Sequence, residues 1–99
     1  MPGHPLSVFE RIDPELFKLI ESNRSLAIED GALPKKFKLL IAMALDAAHG
    51  TVDGVRSLAK QAIDAGATKE EIAEALRVAQ FISGVGSIFT SARALNELL

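Results

Sequence analysis

Four charged or titratable side chains gather around one glycine in the stretch ALDAAHGTVDGVR: Asp46, His49, Asp53 and Arg56. An imidazole exchanges a proton readily near neutral pH, and a guanidinium is a natural clamp for a carboxylate. Asp46 precedes His49 by three residues, so on a helix the two share a face and the carboxylate could orient the ring. Asp53 and Arg56 repeat that spacing after the glycine. The set could hold a small anionic ligand at Arg56, with Asp53 beside it, and move a proton at His49, with Asp46 behind the imidazole.

Each residue also has a purely structural reading. His49 stands before Gly50 at what reads as a helix end, where an imidazole can donate to terminal carbonyls and, when protonated, interacts well with the dipole. Asp46 could pair with a neighbouring cation or lie at a wetted subunit seam. Asp53 falls in the first turn of the next helix, where negative charge is favoured, and Arg56 lies on an outward stripe suited to a solvated or intersubunit salt bridge. The residues themselves leave both readings open.

Other chemistries are closed. The chain has no cysteine, which removes thiolate nucleophiles, disulfides and thiolate metal sites. Its two histidines, His4 and His49, lie far apart without metal-ligand spacing, so no metal and no cofactor are expected. The SGVGS stretch lacks the lysine and the preceding strand of a phosphate loop.

Ninety-nine residues, 48% of them hydrophobic, make a single domain spanning 1–99. A net charge of -2 offers no basic stripe to a phosphate backbone, and five Phe without Trp or Tyr build no base-stacking platform, so nucleic acid is not an expected partner. The start MPGHPLSVFERID has no apolar leader region, and the longest apolar run, Leu39 to Leu45, is too short to span a bilayer. A soluble, cytoplasmic chain with no membrane partner is expected.

The elements that must position the four residues are helices. Asp13-Pro14 reads as N-cap and first residue of a helix carrying Leu16, Phe17 and Ile20 to about Glu29. Pro34 opens a second helix that ends at Gly50, with Phe37, Leu40, Ile41, Ala44, Leu45 and Ala48 at core-stripe spacing. Thr51 can cap a third, whose Val55, Leu58, Ala59 and Ala62 face inward until Gly66. Thr68 and Glu71 form a capping box for a fourth through about Ser83. After SGVGS, Ser87 begins a last helix with Ile88, Ala92, Leu95 and Leu99 in line. Nothing alternates with period two, so the expected fold is all-α, a compact bundle of about five to six short helices.

The second helix is apolar on its other face as well. Leu39, Ala42, Met43 and Ala47 form another stripe, and Asp46 is the sole polar residue between Lys38 and His49. A helix apolar all round must be covered all round, and a second subunit covers it more easily than four short neighbours. A homo-oligomer is expected.

The order of these signals carries a resemblance. GALPKKFKLLIAMALDAAHG, the amphipathic helix after it and AGATKEEIAEALRVAQFISGVGS together resemble the carboxymuconolactone decarboxylase and alkylhydroperoxidase D-like family over about Gly31 to Leu95. The resemblance implies an alkylhydroperoxidase D-like all-helical fold and trimers, hexamers or related assemblies. The family's peroxidase branch carries a Glu, a Cys-x-x-Cys pair and a His at positions that here hold Leu39, Thr51, Gly54 and Leu58. Thiol peroxidase chemistry is therefore closed to this chain. The decarboxylase branch shows an acidic-x-x-Arg-x-His pattern, of which Asp53 and Arg56 match while Leu58 replaces the His. By resemblance the chain is either a cofactor-free lyase or isomerase acting on a small carboxylated lactone or organic acid, with the shifted His49 as proton carrier, or a non-catalytic scaffold or small-ligand binder.

Overall fold

The computed structural model describes residues 6–99, so His4 lies outside the described residues. Six helices follow one another: α1 (Val8–Ile12), α2 (Pro14–Ile28), α3 (Lys35–Ala48), α4 (Val52–Asp64), α5 (Lys69–Ser83) and α6 (Gly86–Leu95). There is no strand, and no helix long and apolar enough to cross a membrane, among the described residues. The fold is all-helical, as the sequence requires. The short α1 has no counterpart among the helices expected from the sequence.

Local chemistry sets the helix starts. The Asp13 side chain accepts a hydrogen bond from the Leu16 amide at 3.1 Å, with Pro14 at the first helical position, where its missing N–H is no loss. The capping box of α5 is complete: the Glu71 amide donates to Thr68 Oγ1 at 3.1 Å and the Thr68 amide to Glu71 Oε1 at 2.9 Å. Lys36 at the start of α3 reaches Glu71 at 3.0 Å and so ties the two helix beginnings together. The hydrogen bond from the Thr68 backbone, followed by Lys36, holds the Glu71 carboxyl below its ordinary pKa.

The core lies between α3, α4, α5 and α6, with Leu39, Met43, Val55 and Ile72 fully buried and Ala47, Ala59, Ala62 and Ala94 between them. The alanines let helix axes approach closely, and α4 makes its inward stripe of Val55, Ala59 and Ala62 as its spacing predicts, with Leu58 half-buried beside it. Two stripes depart from expectation. On α3 the buried residues are Leu39, Leu40, Met43 and Ala47, while Phe37, Ile41 and Leu45 of the expected core stripe are about half exposed. Both faces are apolar, so periodicity could not choose between them. The buried face, with the small Ala47, joins the core cluster shared with α4.

On α6 the inward residues are Ser87, Thr90, Ser91 and Ala94, while Ile88 and Ala92 face out, as does Leu99 beyond the helix end. Small hydroxyl residues can point inward because their own backbone satisfies them. Ser87 Oγ donates to the Gly84 carbonyl and Ser91 Oγ to the Ser87 carbonyl, each at 2.7 Å.

Candidate functional site

The corner between α3 and α4 is built around Gly50. His49 is the C-cap of α3, and Gly50 takes a left-handed φ of 79°, a conformation a side chain resists. The Gly50 amide then donates to the Ala47 carbonyl at 3.2 Å and the Thr51 amide to the Asp46 carbonyl at 2.9 Å, the paired closure that satisfies terminal carbonyls. Backbone amides therefore do the capping. The Thr51 side chain makes no cap hydrogen bond, contrary to the expectation drawn from its position.

The four sequence-derived candidates occupy this corner without converging. The His49 side chain is exposed, and its imidazole is hydrogen-bonded to no described residue, neither to Asp46 nor to the helix carbonyls. Asp46 is half-buried and turned towards α4. A Cβ placed on Gly54 would lie 2.0 Å from Asp46 Oδ2, so the carboxylate fills the space a side chain at 54 would take, beside the first turn of α4. A negative charge there is favoured by the helix dipole. Arg56 pairs with Asp53 at 3.0 Å across one turn of α4 and also donates to the Arg93 carbonyl of α6 at 3.4 Å. Asp53 is almost wholly solvated, with its side chain 97% exposed, which leaves that ion pair weak.

Leu39 is fully buried, and Leu58 packs half-buried against the same core cluster. Both side chains thus belong to the hydrophobic core. No group of three or more carboxylates and histidines with metal-binding geometry occurs among the described residues.

A second feature escaped the sequence reading. The exposed stripe of α3, Phe37, Ile41 and Leu45, continues onto Val78, Ala79 and Ile82 of α5 and forms an open groove of about 520 Å³. Its lining is almost entirely hydrocarbon, with Ser83 as the sole polar side chain. The signal was present in the doubly apolar α3, but on α5 the sequence marks only the capped start and the end near Ser83, and Val78 and Ile82 are not marked as partners.

Helix order, the glycine corner and the capped α5 define a small all-helical domain. The profile of the Carboxymuconolactone decarboxylase family matches residues 14–97, nearly the whole chain. Among solved structures, the apo form of a carboxymuconolactone decarboxylase family protein from Legionella pneumophila is similar, with a TM-score of 0.86 and 36% sequence identity over 92% of this chain and 81% of that one. The comparison with curated proteins gives no match. The chain belongs to the carboxymuconolactone decarboxylase family.

Proposed function

We propose that this chain is a non-catalytic, self-assembling member of its family, in which the α3/α5 groove face is covered by further copies of the chain. The observation that carries the reading is the continuous apolar face of Phe37, Ile41, Leu45, Val78 and Ile82, each between 42% and 75% exposed on a single copy. Patches of this kind mark association surfaces, and a second copy of the chain presents the same apolar face as a partner. The corner adds support. Leu39 and Leu58 are core residues, the Arg56 guanidinium is engaged by Asp53 and a carbonyl, and the Asp46 carboxylate fills the slot at Gly54 instead of backing an imidazole.

Light scattering on the full chain tests this reading. A particle of three or more copies at micromolar concentration is expected, and Ile41→Asp should dissociate it while leaving the helix content unchanged. A folded 10.6 kDa particle for the unaltered protein overturns the reading.

One observation favours a second reading, a cofactor-free lyase acting on a small carboxylated lactone. His49 and Arg56 both reach solvent at one corner, so a neighbouring copy could close a site over them. Arg56 would hold the carboxylate, Asp53 would keep the guanidinium in place, and His49 would carry the proton with Asp46 nearby. A thermal-shift screen of small carboxylated lactones separates the two readings, since a ligand of the folded state raises stability by mass action. A rise in Tm that Arg56→Ala abolishes favours the lyase. No rise with any member favours the assembly reading.

A further inference from the structure

Helices α5 and α6 are joined by Gly84 and Val85, and Gly84 takes a left-handed φ of 89°, so α6 runs back along α5 and the two pack side by side. Between their outer edges lies an open groove of about 650 Å³, a size typical of small-molecule sites. Leu76, 7% exposed, forms its floor, and Ile88, Ala92 and Leu95 carry the hydrocarbon along α6. Polar groups line it too. The Ser91 hydroxyl already donates to the Ser87 carbonyl. Arg77 of α5 and Asn96 at the end of α6 are differently placed. Among the described residues the Arg77 guanidinium enters no ion pair or hydrogen bond, not even with Glu74 one turn before it, and the Asn96 amide group has no hydrogen-bond partner.

We propose that this groove binds a small organic monocarboxylate with an apolar body, such as an aryl-substituted acid, and that Arg77 takes its carboxylate. The return of α6 along α5 sets Arg77 opposite Ala92, midway along the hydrocarbon, with Asn96 one turn further on as an additional amide donor. A guanidinium presents paired donors to a carboxylate and is more weakly hydrated than an ammonium, so it is less costly to dry against hydrocarbon. The apolar walls in turn strengthen the attraction between the two charges.

Charge complementarity selects the occupant. The α3/α5 groove carries no charged side chain, and the hollow lined by Lys35, Gln61 and Asp64 brings a cation and an anion together, so neither favours one sign of ligand. A single unpaired guanidinium on a chain of net charge -2 favours a monoanion over a phosphate or a polyanion. The ligand's body must be apolar, because Leu76, Ile88 and Leu95 offer it no hydrogen bond. One side of the groove stays open to solvent, so dependence on Arg77 is diagnostic where strength of binding is not. The site lies away from the α3/α4 corner and the α3/α5 face and depends on neither reading given above.

Titration of the isotope-labelled full chain with phenylbutyrate, followed by backbone amide NMR shifts, tests the proposal. Saturable shifts are expected around Arg77 on α5 and from Ile88 to Asn96 on α6. Phenylbutyramide keeps the body without the charge, acetate keeps the charge without the body, and each should bind at least about tenfold more weakly. Arg77→Gln should lower the affinity for phenylbutyrate by at least about tenfold while leaving the Tm of the unliganded protein unchanged, since Arg77 is exposed and unpaired. Arg77→Lys should recover part of the loss, and Arg56→Ala should cause none. Shifts that never saturate, equal binding of the amide, or an Arg77→Gln variant that matches the parent overturn the proposal. Shifts centred on His49 and Arg56 place the acid at the corner instead and overturn it as well. A particle mass that falls as phenylbutyrate saturates shows that a second copy occupies the groove, which also overturns it.

Discussion

The sharpest consequence of the corner geometry concerns Gly54. It is the third residue of α4 and has no positive φ, so alanine is conformationally acceptable there and by helix propensity alone should stabilise the fold by roughly 0.5–1 kcal/mol. Space decides otherwise. The new Cβ would stand 2.0 Å from Asp46 Oδ2, 2.8 Å from Asp46 Cγ and 3.0 Å from Thr51 Cγ2, where ordinary contact begins near 3.4 Å. The carboxylate must retreat by more than an ångström, and it sits on a short side chain from a packed helix.

Overpacking of this kind costs typically about 1–3 kcal/mol, so after the propensity gain Gly54→Ala should destabilise the protein by roughly 1–2 kcal/mol. For a chain of this size that is a Tm lower by roughly 5–10 °C at fixed protein concentration. Removing the carboxylate should reverse the sign. In an Asp46→Ala background the space is open, and Gly54→Ala should be neutral or stabilising. The double-mutant cycle should give a coupling of about 1–3 kcal/mol between two residues eight apart in sequence. A coupling below about 0.5 kcal/mol, with Gly54→Ala acting alike in both backgrounds, refutes the placement of Asp46 against α4 and with it the argument that this slot is already filled.

Three further outcomes follow from other parts of the molecule. Because Glu71 has its folded pKa depressed, chiefly by the Thr68 backbone hydrogen bond and then by Lys36, its contribution is present above the ordinary carboxyl value of 4.5 and is lost as pH falls through the folded value. Urea midpoints should therefore fall less steeply below that pH for Glu71→Gln than for the parent, and equal slopes would contradict the capping box and the Lys36 contact. Leu39→Glu, which puts a carboxyl at a fully buried position, should cost more than about 3 kcal/mol at neutral pH, partly recovered in acid as the carboxyl protonates; a tolerated substitution would mean that water reaches the core. The purified protein should consume no organic hydroperoxide with any dithiol partner and be indifferent to thiol alkylation, and turnover above a buffer control would defeat the argument from missing cysteines.

Helix starts and stops were legible in the sequence because they are decided within a few residues. Asp13-Pro14, Thr68 with Glu71, and the glycines at 50 and 66 each act on backbone groups of their own turn, and the structure ends or begins a helix at every one of them. Which face of a helix turns inward is a different kind of fact. For α4 one stripe is apolar and the other charged, so burial followed directly. For α3 both stripes are hydrocarbon, and the face that turns inward is the one carrying Ala47, which lies in one core cluster with Ala59 and Ala62 of α4. For α6 the hydropathy is misleading outright, because Ser87 and Ser91 satisfy their hydroxyls on the preceding turn and so cost little to bury.

The corner was legible as a place and not as a constellation. Sequence spacing put Asp46 and His49 on one helix, three residues apart, yet a three-residue step also rotates the side chain by about 60° around the axis. That rotation is enough to send Asp46 to α4 and His49 to solvent. It is the glycine at 54 that makes the difference consequential. In a chain with a side chain at that position Asp46 would have to turn elsewhere, and a thiol there would occupy the place the carboxylate now fills. Gly54→Cys should therefore bring its Cβ against the Asp46 carboxylate, and a thiol placed there has to displace that carboxylate before it can act as a nucleophile.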